Sequence, residues 1–186
     1  MAKNLTAKGH PLAITAFRKR ERVADLLSRR RQGVVQSSGD GARVRRGVFV
    51  RHRLAAGRGQ VVSGPEGLLA GASQGLVIVD CSTSEPDSTT RMRELCAAKG
   101  VSFIDAPLAR TPVEAEAGKL NVMVGASAED FAQHRAAAEV SLPRTSSMSA
   151  GPVPATIKLL NNFIAQAVCN ATAEAFAVAT SAPAST

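Results

Sequence analysis

The chain has 186 residues, 45% of them hydrophobic, so it can bury the core of an ordinary domain and is not a disordered chain. It has no Trp, no Tyr and only six Phe, which predicts an aliphatic core. Three scattered cysteines are too few for a disulfide framework or a metal site. We therefore expect reduced thiols, a cytoplasmic protein and no bound metal.

The net charge of +8 comes from one segment. Residues 18–58 carry 13 Lys and Arg against 3 Asp and Glu, whereas the rest of the chain carries 10 against 12. This segment contains only one Phe, Phe49, with Phe17 just before it, and no recognisable DNA-reading motif, so we expect no specific nucleic-acid partner.

The sequence shows no apolar run of signal-peptide length in residues 1–10. The longest charge-free stretch of helical character, 159–173, is shorter than the roughly 20 residues that a membrane span needs. We therefore expect neither secretion nor membrane insertion.

Few elements stand out in the first 60 residues. The spacing of apolar and turn residues predicts a helix over 2–8, a buried strand over 12–17, a helix over 18–30 and a short strand over 47–50.

Beyond residue 75, strands alternate with helices. Strands are predicted over 76–80, 101–104 and 121–125, and helices over 87–99, from 127 onwards and over 155–180, with a Ser/Pro/Gly linker at 143–154. This alternation indicates an α/β domain with a largely parallel sheet.

The predicted helix over 155–180 has one unusual face. At 100° per residue this face carries one amine, one amide and small residues, namely Lys158, Asn162, Ala165, Cys169 and Thr172. Such a face is typical of a pocket wall with a single ionisable group. The alternative is a lysine near a helix start with incidental Asn neighbours.

Four motifs, in this order along the chain, carry a resemblance to a known family. They are Val-Asp-Cys-Ser-Thr-Ser-Glu-Pro at 79–86, Asp-Ala-Pro at 105–107, Glu-Ala-Gly-Lys-Leu-Asn-Val-Met-Val-Gly at 116–125 and Lys-Leu-Leu-Asn-Asn at 158–162. The chain resembles the β-hydroxyacid dehydrogenases, which include 3-hydroxyisobutyrate dehydrogenases, tartronate semialdehyde reductases and the cofactor domain of 6-phosphogluconate dehydrogenase. The resemblance covers residues 1–17, 61–138 and 151–178.

The resemblance implies a Rossmann-like domain that transfers hydride between NAD or NADP and a small anionic hydroxy acid or aldehyde. It implies that Lys158 is the catalytic acid and base, that Asn161 and Asn162 orient the substrate, and that Ser82 and Thr83 hold the cofactor at a strand end. An ordinary lysine, with a pKa of about 10.4, is a poor base at neutral pH, so we expect desolvation to lower its pKa. A homo-oligomer formed through the long helix is also expected.

Two arginines refine the expected specificity. Arg18 follows the strand over 12–17 with no acid at the strand end, which favours NADP over NAD. Arg110 replaces a glycine that many relatives carry, as in the sulfolactaldehyde reductase branch, and its guanidinium is suited to a carboxylate or sulfonate. The alternative for Arg110 is an ordinary surface arginine in a loop.

The chain also departs from the family pattern. We expect residues 1–150 to form an incomplete NAD(P)-binding domain that lacks the first strand and its glycine fingerprint, and 151–186 to begin a truncated α-helical domain. Residues 29–60 and 139–150 do not resemble the family. This divergence indicates either an adapted protein or a decayed, frameshifted gene. The excess positive charge of the first of these segments favours decay.

These departures lead us to expect that the chain as written does not turn over. The alternative function is a non-catalytic fragment or an interaction module that dimerises through the apolar face of the helix over 155–180.

Overall fold

A computed structural model describes residues 2–7, 9, 12–14, 24, 34–36, 47–51, 58–65, 67–126, 129, 145–149 and 153–181. The helices in these ranges are α1 (Ala2–Ala7), α2 (Arg58–Ser63), α3 (Leu68–Gly71), α4 (Pro86–Ala97), α5 (Pro112–Glu116) and α6 (Val153–Ser181). The strands are β1 (Leu12–Ile14), β2 (Val34–Gln36), β3 (Gly47–Arg51), β4 (Leu76–Asp80), β5 (Ser102–Asp105), β6 (Leu108–Ala109), β7 (Asn121–Gly125) and β8 (Thr145–Ser149).

The strands form two sheets. β1 and β2 make a parallel pair, and the others form a six-stranded sheet in the order β3-β4-β5-β7-β6, with β8 beside β7. β3, β4 and β5 run parallel, whereas β7 is antiparallel to β5 and β6. The expected α/β architecture is confirmed, but the sheet is mixed. Only residues 110–120 separate β6 from β7, and so short a connection favours an antiparallel return over a parallel crossover.

β4 lies between β3 and β5 in the sheet and is buried along its whole length. Its alternate side chains leave on opposite faces of the sheet. Leu76 and Ile78 pack with Met92 and Cys96 of α4, and Val77 and Val79 pack with residues of β5 and β7 on the other face. The uninterrupted apolar run of β4 is therefore explained by burial on both faces.

Most of the other predicted elements are found where they were expected. α1 is followed by Gly9, whose positive φ of 81° suits the end of a helix, as predicted. β3 lies inside the divergent segment 29–60, and all five of its residues pair in register with β4. The helices predicted over 18–30 and from 127 lie almost entirely outside the described residues.

Six elements escaped the sequence predictions. β2 and the start of α2 lie in residues 31–60, where apolar residues show no clear period, and α3, β6 and α5 are only two to five residues long. β8 lies inside the predicted linker over 143–154. β8 consists mostly of Ser and Thr, so it shows no hydrophobic pattern. Its backbone pairs with β7 across a register shift at Val122 and Met123. Pairing through the backbone alone requires no particular side chains, so the sequence does not predict it.

α6 is a helix of 29 residues, slightly longer than predicted. Pro154 and Ala155 in its first turn are buried, and the helix contacts β7, β8 and α4. By length and composition α6 is long and apolar enough to cross a bilayer, so the expectation that no segment reaches that length is wrong. The expectation failed because it counted only a charge-free stretch, whereas the helix extends beyond it on both sides. None of the side chains in the window that passes this test is buried in the described structure.

Candidate active site

Two acidic side chains end neighbouring parallel strands at the same edge of the sheet. Asp80 closes β4 and Asp105 closes β5, and the two are direct register partners. Both are buried, at 1% and 0% exposure. Each lies two residues after an apolar side chain that packs beneath α4, so both carboxylates leave the sheet on the face that α4 covers. Ligands of open α/β sheets bind at this carboxyl edge.

Asp80 holds the turn that follows β4. The backbone N–H of Ser82 donates a hydrogen bond of 3.0 Å to Oδ1 of Asp80, and the Ser82 hydroxyl donates to the same oxygen. Ser82 is itself buried, whereas Thr83 is half-buried. The turn therefore directs the Ser82 hydroxyl inwards and leaves Thr83 as its accessible side chain.

The turn leads directly into α4. Pro86 occupies the first turn of the helix, where its fixed φ and missing N–H are tolerated. Asp87 lies in the same turn, at the positive end of the helix dipole. Met92 and Cys96, one and two turns later, anchor the helix to the sheet. The sequence after β4 thus places a tight turn and a helix start at the carboxyl edge.

Cys81 lies within this turn but is not a nucleophile. Burial, followed by the charges of Asp80 and Asp105, raises the pKa of its thiol far above the usual value. The thiol is therefore protonated at neutral pH. Cys81, Cys96 and Cys169 form no disulfide bond.

Lys158 lies near the packed start of α6 and is half-buried. Burial lowers the pKa of its amine, in the direction that a proton-transfer role requires. Asn161 and Asn162, one turn further along, are exposed. The elements against which α6 packs border the carboxyl edge, since α4 starts just after the turn and β7 ends beside Asp105.

Arg110 has a strained backbone. It follows β6 with a φ of 82°, in the left-handed region that non-glycine residues rarely adopt, and its side chain is exposed. The next residue, Thr111, caps α5 in a capping box in which Glu114 accepts hydrogen bonds from the Thr111 hydroxyl and N–H. These bonds and the Arg110 charge lower the pKa of Glu114.

Comparison with known proteins identifies the family. A family model described as the NAD binding domain of 6-phosphogluconate dehydrogenase matches residues 1–140. The chain belongs to this family. The resemblance inferred from the four sequence motifs is thereby confirmed.

The relatives of this NAD-binding domain are longer than the chain. The 3-hydroxyisobutyrate dehydrogenase of Pseudomonas aeruginosa is 31% identical over 188 residues, covering 96% of this chain and 59% of that protein. The 3-sulfolactaldehyde reductase of Escherichia coli is 28% identical over 180 residues, covering 94% and 58%. The chain thus spans about three fifths of the length of these relatives.

A solved structure supports the fold. The 3-hydroxyisobutyrate dehydrogenase of Mycobacterium tuberculosis, solved with L-serine, matches with a TM-score of 0.80 at 23% identity, covering 96% of this chain and 60% of that one. At this level of identity the match concerns the fold alone, which is the Rossmann-like fold expected from the sequence.

Of the predicted site residues, Ser82 and Thr83 lie at the carboxyl edge, and Lys158, Asn161 and Asn162 share α6. Arg18 lies outside the described residues. Sequence reasoning missed the function of Asp80, although an acid two residues before a serine, at the end of a buried strand, is a pattern typical of a side-chain-to-backbone turn.

Proposed function

We propose that this chain is the cofactor-binding and lysine-bearing part of an NAD(P)-dependent β-hydroxyacid dehydrogenase or semialdehyde reductase. The reaction would transfer hydride between nicotinamide and a small anionic 3-hydroxy acid or aldehyde. Residues 1–150 would form the NAD(P)-binding domain and 151–186 the start of an α-helical domain. The observation that carries the proposal is the Ser82–Thr83 turn at the carboxyl edge of β4, in a chain that belongs to an NAD-binding family.

The cofactor, when bound, supplies or accepts the hydride. Thr83 would contact it, since this side chain is the accessible one of the turn, and buried Ser82 would shape the turn from beneath. The names of the P. aeruginosa and E. coli relatives support a reaction on a small hydroxy acid or aldehyde.

Lys158 would move the proton. In the reductive direction its ammonium would donate a proton to the substrate oxygen, and in the oxidative direction its neutral amine would accept one. The lowering of the Lys158 pKa by burial supports this role, because it brings the two protonation states closer in free energy near neutral pH. Asn161 and Asn162 would orient the substrate by hydrogen bonds.

Arg110 would bind the substrate anion. Its planar guanidinium can form two parallel hydrogen bonds to a carboxylate or sulfonate. Backbone strain is often retained at functional sites, and the left-handed φ of Arg110 supports a role of this kind.

Arg18 would favour NADP by binding its 2′-phosphate.

Titration of the chain with NADPH and with NADH, followed by cofactor fluorescence, tests the proposed cofactor binding. We expect saturable binding, with NADPH tighter, and loss of the preference in Arg18→Ala but not in the control Arg91→Ala on the exposed side of α4. NADH binding as tight as NADPH binding would contradict the preference.

The catalytic role is tested by following NADPH absorbance with three-carbon and four-carbon semialdehydes. Any turnover should fall by about 10²- to 10⁴-fold in Lys158→Ala. The control Lys119→Ala, at an exposed position, should leave turnover unchanged. Equal effects of the two variants would contradict the assignment.

A second function, a module that dimerises through α6, is favoured by the exposed apolar side chains on that helix. They include Leu160, Phe163, Ile164 and Val178, which lie on the side of α6 opposite Lys158. Large apolar patches are rarely left exposed to water, so we propose that a second copy of the chain covers this side of the helix. The mass in solution tests it: Phe163→Glu should give a monomer, whereas Gln166→Glu on the same helix should leave the dimer intact.

We also propose a cytoplasmic location. The three cysteines form no disulfide bond, and Cys81 and Cys96 are buried, which supports a reducing compartment.

A further inference from the structure

We propose that Asp80 is a positioning residue of the cofactor site: its buried carboxylate fixes the Ser82–Thr83 turn in the shape that presents Thr83 to the cofactor. This inference rests on the function proposed above. It adds a residue that does not touch the cofactor but acts through the turn.

The geometry of the turn is set by one oxygen. Oδ1 of Asp80 accepts both the backbone N–H and the hydroxyl of Ser82. Both donors belong to the residue two positions after Asp80. The hydrogen bonds therefore close a small ring that fixes the backbone dihedrals between Asp80 and Ser82. Both side chains are only 1% exposed, so water competes little for these hydrogen bonds.

The acceptor is itself held in place. The backbone N–H of Ala106 donates a hydrogen bond of 2.8 Å to the carbonyl oxygen of Asp80, which joins β4 to the end of β5. The side chain therefore projects from a rigid strand end. The turn is anchored to the sheet and not only to α4.

The turn leaves one side chain for a ligand. Ser82 and Ser84 are both buried, whereas Thr83 between them is half-buried. Without the hydrogen bonds to Asp80, the Ser82 N–H and hydroxyl would bind to other acceptors. The backbone dihedrals at Thr83 would then change. The orientation of Thr83 thus depends on a carboxylate three residues before it.

Asp105 provides a matched control. It is the register partner of Asp80, leaves the sheet on the same face and is equally buried, but the Ser82 bonds go to Asp80. A general effect of losing a buried acidic side chain at a strand end would appear at both positions. An effect through the turn would be confined to Asp80.

The first measurement is hydrogen exchange of the Ser82 amide by NMR in the 186-residue chain. Asp80→Ala should speed this exchange at least about tenfold, because the amide loses its acceptor. Asp80→Asn, which keeps an acceptor oxygen, should restore slow exchange, and Asp105→Ala should leave Ser82 unchanged. If the alanine variant does not fold, Asp80→Val removes the acceptor with a residue suited to a buried strand.

The second measurement is the Kd for NADPH. Asp80→Ala should raise it about tenfold, with Asp80→Asn within about threefold of the wild type. The effects of Asp80→Ala and Ser82→Ala should be less than additive, because both remove the hydrogen bond from the Ser82 hydroxyl to Asp80. Unchanged Ser82 exchange in the alanine and valine variants, or an equal change in Asp105→Ala, would overturn the inference. Absence of NADPH binding by the wild type would instead refute the proposed function, and the exchange experiment would still decide the effect of Asp80 on the turn.

Discussion

The guanidinium of Arg93 donates a hydrogen bond of 3.1 Å to the carbonyl oxygen of Gly125, which lies 32 residues further along the chain. Arg93 lies on α4, the helix that starts after the Ser82–Thr83 turn, and Gly125 ends β7 beside Asp105. α6 packs against both elements. The bond therefore joins the helix that follows the turn to a strand against which α6, the helix that carries Lys158, packs.

Replacing Arg93 by Ala should lower the free energy of unfolding by about 1–2 kcal/mol, because a part-buried carbonyl loses a charged donor. Urea unfolding measures this change. Arg91→Ala, two residues earlier and exposed, should change stability by less than about 0.5 kcal/mol. Equal losses in the two variants would contradict a specific role for the bond to Gly125.

Arg110→Gly should make the chain more stable than Arg110→Ala by about 1–2 kcal/mol. Both variants remove the charge, but only glycine adopts the left-handed φ of 82° without the steric cost of a Cβ. Thermal unfolding of the two variants measures this difference in stability. Because neither variant carries the Arg110 charge, the difference reports the backbone strain alone. Equal stability would show that the backbone at residue 110 is not strained.

The capping box of α5 should give stability that depends on pH. The hydrogen bond from the Thr111 side chain, with backbone hydrogen bonds, lowers the pKa of Glu114 below its unfolded value of about 4.3. The contribution of Glu114 is therefore present above about pH 4.3 and is lost as the pH falls through the folded pKa.

The variant Glu114→Gln should be less stable than the wild type at pH 7, and the difference should shrink as the pH falls below about 4.3. Unfolding measured between pH 7 and pH 2.5 tests this. The control Glu116→Gln lies outside the capping box and should follow the wild type. A difference that is constant with pH would contradict the prediction.

Lys158 should titrate below the ordinary lysine pKa of about 10.4, because burial disfavours its charged form. Between the folded pKa and about 10.4 the unfolded chain binds the extra proton, so stability should rise with pH in this window. NMR titration of ¹³C-labelled lysine measures the pKa directly, and Lys158→Met should remove the rise. A titration at or above 10.4 would contradict the role proposed for this amine.

The sequence was informative where burial or a motif imposed a pattern. The apolar run over 76–80 predicted a buried strand, and β4 confirms it. The motif that follows this strand places Ser82 and Thr83 at its end, and their contact with a cofactor stays a prediction. β8 could not be predicted in the same way, since its Ser-rich sequence has no period and pairs with β7 through its backbone.

Long-range bonds also escaped prediction. The Arg93–Gly125 bond joins residues far apart in sequence, and nothing in the spacing around Arg93 distinguishes it from a surface arginine. The left-handed φ of Arg110 was likewise hidden, although the glycine that many relatives carry at this position is consistent with such a backbone.

The central claim is that a nicotinamide cofactor binds at the turn after β4, and NMR mapping of bound NADPH on the ¹⁵N-labelled chain tests it most directly. Saturable binding should produce its largest chemical-shift changes at the amides of Ser82 and Thr83. ATP, a polyanion without nicotinamide, should at the same concentration leave the chemical shifts of these two amides unchanged. Absence of saturable NADPH binding, or shifts confined to the basic segment 18–58 with both ligands, would contradict the account.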